Sequence, residues 1–243
     1  LDYLSAAALQ ARAYMKKAGL TDDHLARVVA RSREKGAQNP YARENEAVTE
    51  DAVRQSPLIC DPIRHLHQYP VTDWAAGMLL CSEDRAHEFT DKPVWLSGFG
   101  NCMDSYFLGD RDLSASTALQ KSAKRAYGMA GIDDPTTAFD IIEVNDAYAY
   151  QLPMWAENAG ILPAGGARQW IDSGGMDSGR VNPSGGMLNG NPLMLGGLAR
   201  SLEVVLQLRG EAGKRQVDGA AKGLAHGNTG PAGQHHAVLV FEQ

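Results

Sequence analysis

Between Val181 and Gly197 the chain reads Val-Asn-Pro-Ser-Gly-Gly-Met-Leu-Asn-Gly-Asn-Pro-Leu-Met-Leu-Gly-Gly. Glycines stand on both sides of a polar turn, directly ahead of an apolar segment of helical character. Glycine reaches backbone conformations closed to other residues and lets a main chain come close to a ligand. The stretch fits a backbone that closes tightly and then launches a helix at Pro192, a residue suited to a first helical turn. Taken alone, it serves equally well as a purely structural turn.

The flanking pattern sets the fold class. Apolar residues recur at helical spacing over 3–18, and Gly19 is a suitable stop. Thr21-Asp-Asp caps a second helix over about 22–36, which Asn39-Pro40 breaks. Thr49 can cap a short helix to Arg54, and the proline-broken remainder of 39–70 reads as ordered loop because Leu58, Ile59, Ile63 and Leu66 need burial. The small-residue run 72–81 ends as an apolar strand, and Ser82 to Ala86 starts a short helix.

From residue 94 strands and helices alternate: strand 94–99, helix 116–130, strand 139–144, a helix opening at Asn145-Asp146 and running to about Gly160, and a long loop or hairpin over 165–186. A helix over 193–208 and strands over 220–226 and 236–242 complete the series. The alternation predicts an α/β protein with a mainly parallel sheet.

The 243 residues suffice for one large domain or two modest ones, and 44% hydrophobic with 21% charged residues is ordinary for a globular chain. A net charge of −6 gives no general attraction to nucleic acid or anionic membrane, and no apolar run reaches the ~20 residues needed to span a bilayer. Cys60, Cys81 and Cys102 are scattered and odd in number, which argues against a disulfide framework and for a reducing, cytoplasmic setting. The chain opens at Leu1, already inside a helical pattern, so a preceding portion is expected.

Four places could carry chemistry. Glu143-Val-Asn-Asp-Ala-Tyr148 sits where a strand of a parallel sheet ends, the usual crevice for ligands. There the Asn145 carboxamide can donate to a developing oxyanion and Tyr148 can donate a phenolic proton; equally, Asn145 or Asp146 caps a helix over a buried tyrosine. The glycine segment holding Asn191 is the second. His226, in Ala-His-Gly-Asn-Thr-Gly230 at a strand end, is the third, either a proton acceptor or a hydrogen-bonded structural residue. His65-x-His67 and His235-His236 form the fourth, and without a third ligand both read as non-metal. Gly98-Phe-Gly-Asn-Cys-Met103 lacks the third glycine of a dinucleotide fingerprint.

The order of these pieces matters more than any one of them. A strand ending Asn-Asp-Ala-Tyr, then Asn-Pro-Ser-Gly-Gly, then Gly-Asn-Pro, then a glycine turn between two strands, resembles the C-terminal half of the thiolase superfamily. Ala11-Arg-Ala-Tyr-Met15, Asn39-Pro-Tyr-Ala42, Asp61-Pro-Ile-Arg-His-Leu66 and Asp73-Trp-Ala-Ala-Gly-Met-Leu-Leu80 resemble the loop domain and last first-half strand of its lipid-transfer-type members. The resemblance implies a layered thiolase fold, with residues 1–90 closing the first half and 91–243 forming the second.

It also implies a C–C bond made or broken beside a coenzyme A thioester, with CoA as co-substrate and no covalently bound cofactor. Asn145, Tyr148, Asn191 and His226 take the catalytic places; Ser184, Gly185, Gly186, Gly190 and Gly230 line the substrate, whose bulk the small residues of 165–186 would admit. Asn191 stands where the family has a catalytic histidine, His226 near a proton-transferring cysteine, and none of the three cysteines matches the nucleophile. Asparagine cannot take up a proton at neutral pH, so ordinary acetoacetyl-CoA thiolysis is disfavoured. Thiolytic acyl transfer on a bulky β-ketoacyl-CoA is the first expectation. Retro-aldol cleavage of a β-hydroxyacyl-CoA with a zinc-ribbon/OB (DUF35-type) partner, to which Tyr148 but not Met194 conforms, is the second, and a non-catalytic assembly subunit the third. A homodimer is expected from the fold.

Overall fold

The computed structural model describes residues 2–243. Helix α1 (Tyr3–Ala18) opens on Asp2, whose carboxylate accepts from Ser5 N at 2.7 Å, and closes on Gly19 in the left-handed region. Helix α2 (Asp22–Gly36) begins with a reciprocal cap between Thr21 and His24. The capped turn α3 (Glu50–Gln55) leads into a small hairpin of β1 (Leu58–Cys60) and β2 (Ile63–Arg64).

The main sheet holds β3 (Trp95–Met103), β4 (Ile141–Glu143), β5 (Lys222–Thr229) and β6 (His235–Glu242) in the order β3-β6-β5-β4. β4 pairs parallel with β5, while β6 is antiparallel to both β3 and β5. Three strands therefore point the same way and only β6 runs against them, but because β6 lies between β3 and β5, two of the three pairings are antiparallel and the sheet is mixed rather than mainly parallel. The short turn after β5 dictates this, since a hairpin returns its second strand antiparallel.

Helices cover both faces. Leu119, Ala123 and Ala126 of α4 (Thr117–Ala130) and Trp155 of α5 (Gln151–Asn158) share one core with Ile142, Leu224, Val238 and Val240, and α1 and α2 join it. On the other face Val204 and Leu208 of α7 (Gly196–Arg209) pack on Ile141, Ala225 and Phe241. The alternation of strand side chains assigns each residue to its face.

Three local expectations need correction. No strand forms over 73–82; Leu79 and Leu80 are 69% and 74% exposed. A strand exists through hydrogen bonds to a neighbour, and no described strand runs beside this segment. The helix expected from Asn145 starts only at Gln151, because 144–149 is drawn into bonds with other loops. The stretch 165–186 is not a bare loop but contains α6 (Ala167–Asp172).

Candidate active site

Three loops meet at the ends of β4 and β5. The first, 144–149, leaves β4. The second, 181–192, lies beside it through a parallel bridge between Ile142 and Val181. Asn182 clamps the two, its carboxamide accepting from Val144 N at 2.6 Å and donating to Val144 O at 3.1 Å. Met187 N donates to Asp146 Oδ1 at 2.6 Å. Gly186 sits at φ +74, and a Cβ there would strike the Asp146 carboxylate, so glycine is required on both counts.

Beneath this clamp lies a buried ionic knot. Glu143, with no exposed surface, accepts from Ser184 N at 3.1 Å, Ser184 Oγ at 2.9 Å and Arg200 Nη1 at 2.5 Å. Arg200 also reaches Ser184 Oγ at 2.6 Å. Burial pushes the Glu143 carboxyl upward, and the Arg200 charge and Ser184 donors oppose that. Asp146 lacks a cation at bonding distance and has one oxygen without a partner; burial raises it from 3.8 to about 7.

A strap of residues 67–72 joins the first loop to the second. Ala149 N donates to His67 O and Tyr69 N to Ala147 O; then Asn191 N donates to Pro70 O and Thr72 N to Asn191 O, all at 2.8–3.2 Å. Helix α2 buttresses the same loop from behind: Lys35 Nζ donates to Val181 O at 2.8 Å and Asn189 Nδ2 to Ser32 O at 2.9 Å.

The third loop is the β5–β6 hairpin. His226 Nδ1 lies 3.4 Å from Asn145 N, and His226 Nε2 lies 2.9 Å from Nδ1 of His236. Burial holds both rings neutral, His236 down to about 3 and His226 lower than its ordinary value as well.

The sequence-predicted residues fall into this frame unequally. Asn145 is buried, its Nδ2 at a loose 3.5 Å from Asn228 O and against the first residue of α7, Gly196. Asn191 spends its side-chain oxygen on Leu193 N at 2.8 Å, which leaves its Nδ2 to offer. Leu193 itself holds φ +51, a strained value for a leucine. Tyr148 is buried with Tyr69 edge-on at 5.6 Å and Tyr150 stacked at 6.2 Å, and burial raises its phenol.

Ser184, Gly186 and Gly190 border a cavity of about 450 Å³ that also takes in Arg43, Trp74 and Arg200. Asn145, Tyr148, Asn191 and His226 do not line that cavity, although Gly190 and Pro192 place Asn191 at its rim. The Ser184 hydroxyl is spent on Glu143. Gly185 is closed off by Gly36 and Asn189, and Gly230 (φ +82) serves the hairpin turn. No cluster of three or more metal-ligating side chains occurs among the described residues.

Glu143, Arg200, the strap and His236 were not read as site residues from the sequence. For His236 the register decides: His226 pairs with Val238 and Asn228 with His236, so His226 and His236 share a face.

Residues 100–243 match the family described as "Thiolase C-terminal domain-like". The chain is 37% identical over 241 residues to an acetyl-CoA acetyltransferase of Methanothermobacter thermautotrophicus, covering 97% of this chain and 62% of that protein. It is 30% identical to sterol carrier protein 2 of Gallus gallus, over 93% of this chain and 42% of the relative. Among solved structures, the Ltp2-ChsH2(DUF35) aldolase superposes with a TM-score of 0.84 at 19% identity, over 99% of this chain and 63% of that one. The chain thus spans less than two thirds of the length of these relatives. With the sheet, the glycine segment and the family match in agreement, the chain belongs to the thiolase superfamily.

Proposed function

We propose that this chain forms part of an enzyme that makes or breaks a C–C bond beside a CoA thioester, holding the thioester oxygen with the carboxamides of Asn145 and Asn191. The observation that carries the reading is the strap: one short segment ties the loops of both asparagines by main-chain bonds, so two amide donors are fixed relative to each other. Donors fixed before charge develops stabilise an oxyanion without reorganisation. In this reading the 450 Å³ cavity receives part of the acyl-CoA, with Arg43 as the available cation.

Acyl transfer to free CoA is the first form of the reaction, in keeping with the acetyltransferase relative. Retro-aldol cleavage is the second, and one observation favours it. The phenol of Tyr148, buried beside Tyr69 and Tyr150, is a proton donor for a leaving enolate, while Asn191 supplies no base to activate a thiol. The two forms differ in co-substrate. Supplied with a β-hydroxyacyl-CoA and no free CoA, an aldolase releases an aldehyde or ketone; an acyltransferase is silent there and consumes a β-ketoacyl-CoA only when free CoA is added. Tyr148→Phe should slow turnover about a hundredfold, the ordinary worth of a positioned proton donor, with the far-ultraviolet circular dichroism unchanged. An unaltered rate removes Tyr148 from the mechanism. A homodimer and a DUF35-type partner, of the kind named for the aldolase structure, belong to the same proposal.

A further inference from the structure

Two neutral imidazoles lie in series between groups whose hydrogen-bonding roles are fixed. At one end Asn145 N–H can only donate, and it points at His226 Nδ1 at 3.4 Å. At the other end Gly233 O can only accept, and His236 Nε2 lies 2.7 Å from it. Between them His226 Nε2 faces His236 Nδ1 at 2.9 Å.

One proton arrangement satisfies all three bonds. Gly233 O demands a proton on His236 Nε2. A neutral His236 then has a bare Nδ1, which must receive the proton on His226 Nε2. That leaves His226 Nδ1 bare, facing the amide of Asn145. A proton on Nδ1 instead would set two donors head to head.

The surroundings hold this arrangement. His226 is 1% exposed and His236 is fully buried. The Trp155 ring meets His236 edge-on at 4.8 Å and His226 at 6.1 Å, closing the pair from water. Gly233 takes φ +58, and a Cβ there would stand 2.9 Å from Trp155, so the carbonyl at the end of the wire depends on glycine. Ser116 Oγ, 3.1 Å from His236 Nε2, is a second neighbour on the same nitrogen.

We propose that His236 is a positioning residue that sets the tautomer of His226 and so presents its Nδ1 lone pair to the Asn145 loop. The structural part of this stands on the geometry alone. Its consequence for turnover rests on the CoA-thioester reading: by accepting from Asn145 N, His226 Nδ1 holds the backbone that carries the Asn145 carboxamide, one of the two oxyanion donors.

The test labels the histidines of the full chain with ¹⁵N and reads each ring nitrogen by long-range proton–nitrogen correlation. The expected spectrum at neutral pH gives His226 a protonated Nε2 and a bare Nδ1. A protonated Nδ1 on His226 in the unsubstituted protein overturns the proposal, and this measurement requires no variant to fold. His236→Gln, whose carboxamide oxygen can still accept from His226, should keep the tautomer; His236→Leu should mix it. With β-ketoacyl-CoA and free CoA, or β-hydroxyacyl-CoA alone, kcat should fall at least about tenfold in His236→Leu and recover to within about threefold in His236→Gln, with KM held, as for an oxyanion donor moved out of place. Equal losses in both variants with the tautomer unchanged overturn the positioning role. The expected spectrum with no turnover of either thioester leaves the wire in place and defeats the enzyme reading instead.

Discussion

The ionic knot at Glu143 and the imidazole pair at His226 occupy opposite faces of one sheet. Glu143 stands opposite Ala225, one residue before His226, so the two are near neighbours across the sheet's thickness. Both tie a loop to a strand end, yet by different chemistry. On the α7 face, the helix brings Arg200 to a carboxylate that could not be buried alone. On the α5 face, Trp155 and the hairpin enclose two rings that stay neutral and satisfy each other. A charge is tolerated under this sheet only where an adjoining helix supplies its counter-charge; elsewhere the burden falls on tautomer and geometry.

Removing one partner from each face should expose the difference. Arg200→Met leaves Glu143 buried without its cation, and about 3–5 kcal/mol of stability should be lost in urea unfolding. The double variant with Glu143→Met should regain part of that. A loss below about 1 kcal/mol would mean the pair is not the ionic anchor of this face.

The pH dependence sharpens the comparison further. Asp146, raised to about 7 from 3.8, contributes stability that is fully present below pH 3.8 and is lost as pH rises through about 7. The imidazoles act in the opposite sense. With His236 lowered to about 3, His67 to about 4 and His226 below its ordinary 6.5, their contribution is complete above pH 6.5 and is lost as pH falls toward 3. Three imidazoles outweigh the two raised carboxyls, Asp146 and Glu143, so stability should climb between pH 4 and 6.5. Asp146→Asn should steepen that climb, by at most about 1.4 kcal/mol per pH unit. A profile that falls over this window would refute the neutral pair. The smallest effect is expected far from both faces: Leu80→Ser, at an exposed site, should shift stability by no more than about 0.5 kcal/mol. A larger loss would reveal packing that the 73–82 segment does not display.

Much of this was legible in the chain. Caps at Thr21 and Thr49 and the stop at Gly19 fixed helices by short-range bonds, and the glycine turn between 220–226 and 236–242 marked the hairpin. The glycine run 185–197 announced close approach, and Gly186 shows the reason, the Asp146 carboxylate filling the space of a side chain. What escaped was set by distant partners. The apolar run 73–81 carries strand-like residues, but propensity cannot supply a neighbour to pair with. Glu143 and Arg200 are 57 positions apart, and nothing local in either marks them as a buried pair. His235-His236 reads as a non-metal pair, and which of the two meets His226 depends on the hairpin register, which the fold supplies.

The strap has a consequence for how this site can vary. Tyr69 is held to Ala147 and Pro70 to Asn191, so the separation of the two asparagine loops is a length of covalent chain, a ruler graduated in peptide units. Side chains along it can change while the graduation stays. Adding or deleting one residue there would slide one loop past the other by about 3.3 Å and turn every following side chain to the opposite face. Evolution can therefore re-letter this ruler freely but has almost no latitude to recut it.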